Sequence, residues 1–83
     1  MKVKLRKSAI KDLKRISNKD KQRLHLKIRD LTNFPNITNC RKLTKFEPAY
    51  RLRVGNYRIL FDVVGDEIQI GRVLHRKESY SKS

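Results

Sequence analysis

The sequence predicts a small α+β domain of order β-α-α-β-β-β, with a helical hairpin packed on one face of a mainly antiparallel sheet. Three observations predict it. A short alternating segment opens the chain, two segments of helical period follow, and the dipeptides Gly55-Asn56 and Gly65-Asp66 then punctuate a β-rich half. At 83 residues the chain holds one modest core, so residues 1–83 are read as a single domain.

Val3 and Leu5 alternate with Lys2, Lys4 and Arg6, the period of a strand with one wet face. Ser8 is the expected cap of a first helix. On it Ile10, Leu13 and Ile16 form the expected apolar stripe, and Lys11, Lys14 and Arg15 face away. Ser17-Asn18 ends that helix and caps a second, where Leu24, Ile28 and Leu31 recur at i, i+4, i+7 until Phe34-Pro35 stops it. Neither helix is long enough to persist alone in water, so a sheet must cover both.

Pro35 to Arg41 reads as a polar loop, Lys42 to Phe46 as a connector or short strand, and Glu47-Pro48 as a turn. An antiparallel meander is expected next, with strands Tyr50 to Val54, Tyr57 to Val64 and Glu67 to Leu74. Ser79 to Ser83 reads as a short tail that frays unless a partner holds it.

Twenty-two Lys+Arg against eight Asp+Glu give a formal charge of +14, which attracts polyanions, either nucleic acid or an acidic protein. Charge sets the class of partner and not the activity, because a generic basic surface carries the same excess. Cys40 is the single cysteine, so no intramolecular disulfide forms, and no Cys/His cluster has metal-ligand spacing. No segment approaches an apolar run of about 18 residues. A cytoplasmic protein with no signal peptide, membrane span or metal is therefore expected.

A two-residue loop at Gly55-Asn56 sets Val54 opposite Tyr57, Arg53 opposite Arg58, Leu52 opposite Ile59 and Arg51 opposite Leu60. Tyr50, Leu52, Val54, Tyr57, Ile59 and Phe61 then share the face that meets the helices. Arg51, Arg53 and Arg58 share the other, and Arg76 arrives just after the last strand. Two arginines directly across a ladder repel each other unless an anion such as phosphate lies between them; the plainer reading is a solvated basic face. His75 continues the alternation of Gly71 and Val73 and is expected near the arginines, where an imidazole can serve as acid or base; the plainer reading is a structural histidine. His25 reads as a surface residue and Cys40 as a loop or partly buried thiol without a role.

The stretch Tyr-Arg-Leu-Arg-Val-Gly-Asn-Tyr-Arg-Ile-Leu-Phe at 50–61, followed by Arg-Val-Leu-His-Arg-Lys-Glu-Ser-Tyr at 72–80, resembles the RelE/ParE toxin superfamily. The earlier element order, with Lys42-Leu43 before the sheet, extends the resemblance over essentially the whole chain. In RelE-type members it implies a metal-independent endoribonuclease that cuts messenger RNA in the ribosomal A site, and an acidic, RelB-like antitoxin as partner. No cofactor is implied. The family's basic positions fall on Arg51, Arg53, Arg58 and Arg76, and its C-terminal aromatic position on Tyr80; Lys42, Lys45 and Lys77 are further candidate RNA contacts. The resemblance implies that Arg51, Arg53 and Arg58 stabilise the phosphorane, that Arg76 contacts the scissile phosphate or assists the leaving 5′-oxygen, and that Tyr80 stacks on or orients a base.

Two departures stand out. Arginines replace lysines that some active members carry on the first meander strand, and a guanidinium is a poor general base, so the acid–base candidates are His75 and then Glu47. Leu74 stands where the family commonly has glycine, and it either crowds the site or fills core. Two alternatives share this scaffold: a ParE-like inhibitor of DNA gyrase, and a non-catalytic RNA- or ribosome-binding protein.

Overall fold

Turn chemistry and alternation lay out the sheet. In the computed structural model, which describes residues 1–34, 36, 40–42 and 50–77, five strands join in the order β1-β5-β4-β3-β2. They are β1 (Lys2–Leu5), β2 (Cys40–Lys42), β3 (Tyr50–Val54), β4 (Tyr57–Val64) and β5 (Glu67–His75). β1 runs parallel to β5, and the other pairs are antiparallel. Gly55 and Gly65 take φ of 57° and 62° at the two hairpin tips. That left-handed backbone lets a two-residue loop follow the twist of the flanking strands. Helices α1 (Lys7–Lys14) and α2 (Asn18–Asp30) precede a single 3-10 turn, Leu31–Asn33. The α+β architecture expected from the sequence is the one found.

The core lies between the helices and one sheet face. Leu24, Leu31, Ile59, Phe61, Ile68 and Ile70 are its largest fully buried side chains. Each such burial is worth about 1.5–3 kcal/mol. Phe61 stacks on Tyr50 with ring centroids 5.4 Å apart, and Phe34 meets both rings edge-on at 5.1 and 6.0 Å. Phe34, which terminates the second helical segment, thereby joins its end to the meander.

Helix α1 departs from expectation in two respects. Its first residue is Lys7, after an extended Arg6 that makes no side-chain cap, so Ser8 is not the N-cap. Its buried line is Ala9 and Leu13, with Ile16 half-buried behind them, and Ile10 is 41% exposed. A small Ala9 with no exposed surface lets the helix lie close to β5, and a bulkier stripe through Ile10 points elsewhere. The cap at Ser17 is as expected: its hydroxyl accepts the Asp20 amide at 3.5 Å.

Ser8 has other work. β1 stops pairing with β5 at Ile70, and past that point the Ser8 hydroxyl donates to the Gly71 carbonyl while the Asp12 carboxylate accepts the Val73 amide at 2.9 Å. Two α1 side chains thus carry on the hydrogen bonding along this edge of β5 after β1 ends. Arg72 clasps the same carboxylate, Nε to Oδ2 at 2.8 Å and Nη2 to Oδ1 at 3.1 Å, the forked geometry that fixes a guanidinium in plane.

The segment read as polar loop up to Arg41 also needs correction, because Cys40 and Arg41 lie in strand β2, paired with Leu52 and Arg51. A strand of three residues is too short to show an alternation, and it forms by adding to the edge of β3. The remaining expectations for residues 43–49, and for the tail Ser79 to Ser83, fall outside the described residues. Among the described residues no helix is long and apolar enough to cross a membrane, and no group of three His, Cys, Asp or Glu could hold a metal ion.

Candidate nucleic-acid interface

The β3–β4 register is the one expected, Arg53 directly opposite Arg58 and Arg51 opposite Leu60. On one face Leu52, Val54, Ile59 and Phe61 are buried under the helices. The alternate residues put Arg51, Arg53 and Arg58 together on the other. Extending the rows onto β5 gives Arg53, Arg58 and Leu74 in one line and Arg51, Leu60 and Arg72 in the next.

The three arginines are not equally open. Arg53 is exposed and Arg51 half-buried, whereas Arg58 is only 3% exposed. Its Nη1 donates to the Tyr57 carbonyl at 3.3 Å. Arg58 is the buried charged residue among those described, and Leu74, its neighbour across the ladder, is buried at 7%. Leu74 is therefore buried on the arginine side, outside the core cluster beneath the helices. The buried Arg58 guanidinium and the exposed Arg53 opposite it both carry donors suited to charge-assisted hydrogen bonds with an oxyanion.

The end of β5 brings further cations to the hairpin tip. Arg76 and Lys77 are exposed, and the Arg76 amide donates to the Asn56 carbonyl at 2.7 Å. Lys42 ends β2, its Cα opposite Tyr50 at the edge of the sheet. Tyr80, Lys45 and Glu47 lie outside the described residues.

His75 is not on the arginine face. The β4–β5 ladder has an irregularity at Leu60/Phe61, where Phe61 pairs with Ile70 but Leu60 pairs with Arg72. The extra residue, Gly71, shifts the parity of everything after it, so Val73 and His75 pass to the helix side with Ile59 and Tyr57. There the His75 ring meets Tyr57 edge-on with centroids 5.3 Å apart, beside Asp12, Arg15, Ile16 and Val73. The expectation failed because it ran a strict alternation through a bulge. Sequence reasoning also passed over Asp12 and Arg72, whose fork secures α1 to β5. The signal was present, since Asp12 is the sole acid of α1 among its lysines.

The family model for the ParE toxin of the type II toxin-antitoxin system parDE matches residues 3–80 of this chain. Toxin RelE3 of Methanocaldococcus jannaschii is 39% identical over 84 residues, covering 96% of each protein. Among solved structures, the RelB-RelE antitoxin-toxin complex from Methanococcus jannaschii is similar with a TM-score of 0.79 and 37% identity, over 94% of this chain and 95% of that one. The toxin-antitoxin complex RelBE2 from Mycobacterium tuberculosis gives a TM-score of 0.77 at 25% identity, over 90% of this chain and 96% of the other.

Proposed function

On the premise that the chain belongs to the RelE/ParE superfamily, as a RelE-like toxin of a type II toxin-antitoxin system, we propose that it is an endoribonuclease that inhibits translation by cutting messenger RNA in the ribosomal A site. The observation that carries this reading is the Arg53–Arg58 pair, two guanidiniums opposed across one ladder with the second almost fully buried. Such a pair is poised for charge that develops on a phosphoryl group.

In the proposed reaction the ribose 2′-oxygen attacks the adjacent phosphorus and the bond to the 5′-oxygen breaks. The products are a 2′,3′-cyclic phosphate and a 5′-hydroxyl, the 2′ proton passing to solvent and the 5′-oxygen taking one up. Arg51, Arg53 and Arg58 stabilise the pentavalent state, Arg76 orients the scissile phosphate, and Tyr80 stacks on a base. Lys42, Lys45 and Lys77 add contacts to the RNA backbone. An acidic, RelB-like antitoxin restrains the toxin in the cytoplasm; the related toxin from Methanococcus jannaschii forms such a complex with RelB, and the charge of +14 suits an acidic partner.

The ParE description of the matching family keeps a second reading in view, inhibition of DNA gyrase. Primer extension on a reporter message translated in a cell-free extract separates the two. Cuts phased with codons on translated message support the ribonuclease, and topoisomerase-linked DNA breaks without such cuts support the other.

A further inference from the structure

We propose that His75 is a positioning residue whose unprotonated Nδ1 fixes the Arg76-Lys77 turn against the hairpin carrying Arg53 and Arg58, and that protonation of the ring releases that turn. The link to cleavage rests on the ribonuclease reading; the link to backbone order does not.

Two successive amides after β5 are tethered to different elements. The Arg76 amide donates to the Asn56 carbonyl at 2.7 Å, and the Lys77 amide donates to His75 Nδ1 at 3.2 Å. Together they fix the backbone on both sides of the Arg76 side chain. The second bond has the form of a helix N-cap, a side-chain acceptor holding the amide two residues on, and residues 76–77 have helical conformation.

An Nδ1 that accepts a hydrogen bond carries no proton, so a neutral ring bears its hydrogen on Nε2. In the imidazolium form both nitrogens are donors, and Nδ1–H points at the Lys77 N–H. The bond then reverses to a repulsion, and the turn loses its cap. The ring itself stays anchored, since the bulge at Gly71 turns it to the helix side, against Tyr57 and over a cleft of about 110 Å³ shared with Asp12 and Arg15.

Among the described residues, the charges around the ring come from three elements. Arg15 of α1 and the adjacent Arg76 and Lys77 oppose imidazolium, and Asp12 of α1 favours it; Tyr57 of β4 is the remaining titratable neighbour. Asp12 is already engaged by Arg72 on both oxygens and by the Val73 amide on one. Acidification, which puts a proton on Nδ1, is the change that breaks the contact.

Asparagine provides the test, because its Oδ1 hangs from Cγ as Nδ1 does, accepts the same bond, is a strong N-cap and does not titrate. Hydrogen-exchange protection of the Lys77 amide, corrected for intrinsic exchange, is measured from pH 8 to about pH 5 in the wild type, H75N and H75A. The expected result is protection lost on acidification in the wild type, retained across the range in H75N, and absent throughout in H75A. Cleavage of translated message at pH 7.5 is expected to fall about fivefold to tenfold in H75A, the worth of one such hydrogen bond, and to be rescued by H75N. Equal protection in H75A and wild type, or protection in the wild type that ignores pH, overturns the inference. Loss of cleavage in H75N with the Lys77 amide still protected also overturns it, since the ring then acts chemically. A wild type that cuts no message refutes the ribonuclease reading alone, and the amide measurements still decide the role of His75.

Discussion

Leu52 and Arg53 are neighbours in β3, yet one is 3% exposed beneath the helices and the other lies in solvent on the opposite face. The same strands therefore carry two surfaces with contrary demands. On the helix side Leu52, Val54, Ile59 and Phe61 pack into the buried core cluster. On the far side Arg53 faces Arg58 across the ladder. The apolar face holds the register firmly enough for the other face to carry two arginines directly opposite each other. A one-residue slip would exchange the two faces, so neither can be altered without regard to the other.

The comparison breaks most severely at Phe61, fully buried and in contact with Phe34 and Tyr50. Phe61→Ala is expected to cost about 3–5 kcal/mol, read as a collapse of the urea unfolding midpoint. Next is Asp12→Ala, which removes the fork that holds Arg72 and strips the Val73 amide of its acceptor. About 1–3 kcal/mol is expected, with faster hydrogen exchange at Val73.

Glycines sharpen the contrast between hairpin tip and bulge. At Gly55, φ is +57° and an added Cβ lies 3.1 Å from Arg23 Nη1, whereas at Gly71 the nearest atom, the Leu60 carbonyl oxygen, lies 3.9 Å away. Gly55→Ala is expected to lower stability by about 1–3 kcal/mol, and Gly71→Ala to lie within about 0.5 kcal/mol of wild type. Thermal unfolding of both variants checks this.

The smallest effect is electrostatic. Glu67 accepts from Gln69 Nε2 at 2.9 Å and pairs with Lys4 Nζ at 3.3 Å, and the Gln69 hydrogen bond first, then Lys4, holds its carboxyl below the usual carboxylate range. A depressed folded-state pKa contributes stability above the unfolded-state value that is lost as pH falls through the folded-state value. Glu67→Gln is therefore expected to lower stability slightly in the neutral range, where the ionised carboxylate contributes, and to match wild type in acid, so that the decline of stability below about pH 4.5 is flatter, as measured by unfolding midpoints across pH.

Much of this was legible in the chain. Gly55-Asn56 and Gly65-Asp66 specify the hairpins by backbone chemistry, so the β3–β4 register and the arginine face followed from residue type and parity. Parity failed where backbone geometry carries no side-chain signal: the bulge at Gly71 moved His75 to the helix side. Ile10 was misplaced for a related reason, since hydrophobicity alone favours the larger side chain although close packing on β5 selected the smaller Ala9. The burial of Arg58 was equally hidden, because alternation assigns a face and not a depth.

The central claim, that the arginine face is kept for chemistry and the apolar face for stability, is tested most directly by measuring unfolding and message cleavage together in Arg53→Ala and Arg58→Met. Arg53 is exposed, and methionine keeps an apolar stem at the buried position. We expect unfolding midpoints equal to wild type or slightly higher, as the cross-strand repulsion is relieved, and codon-phased cleavage reduced by about 10²–10³-fold. Clear loss of stability with cleavage at the wild-type rate would contradict the account and make these arginines structural.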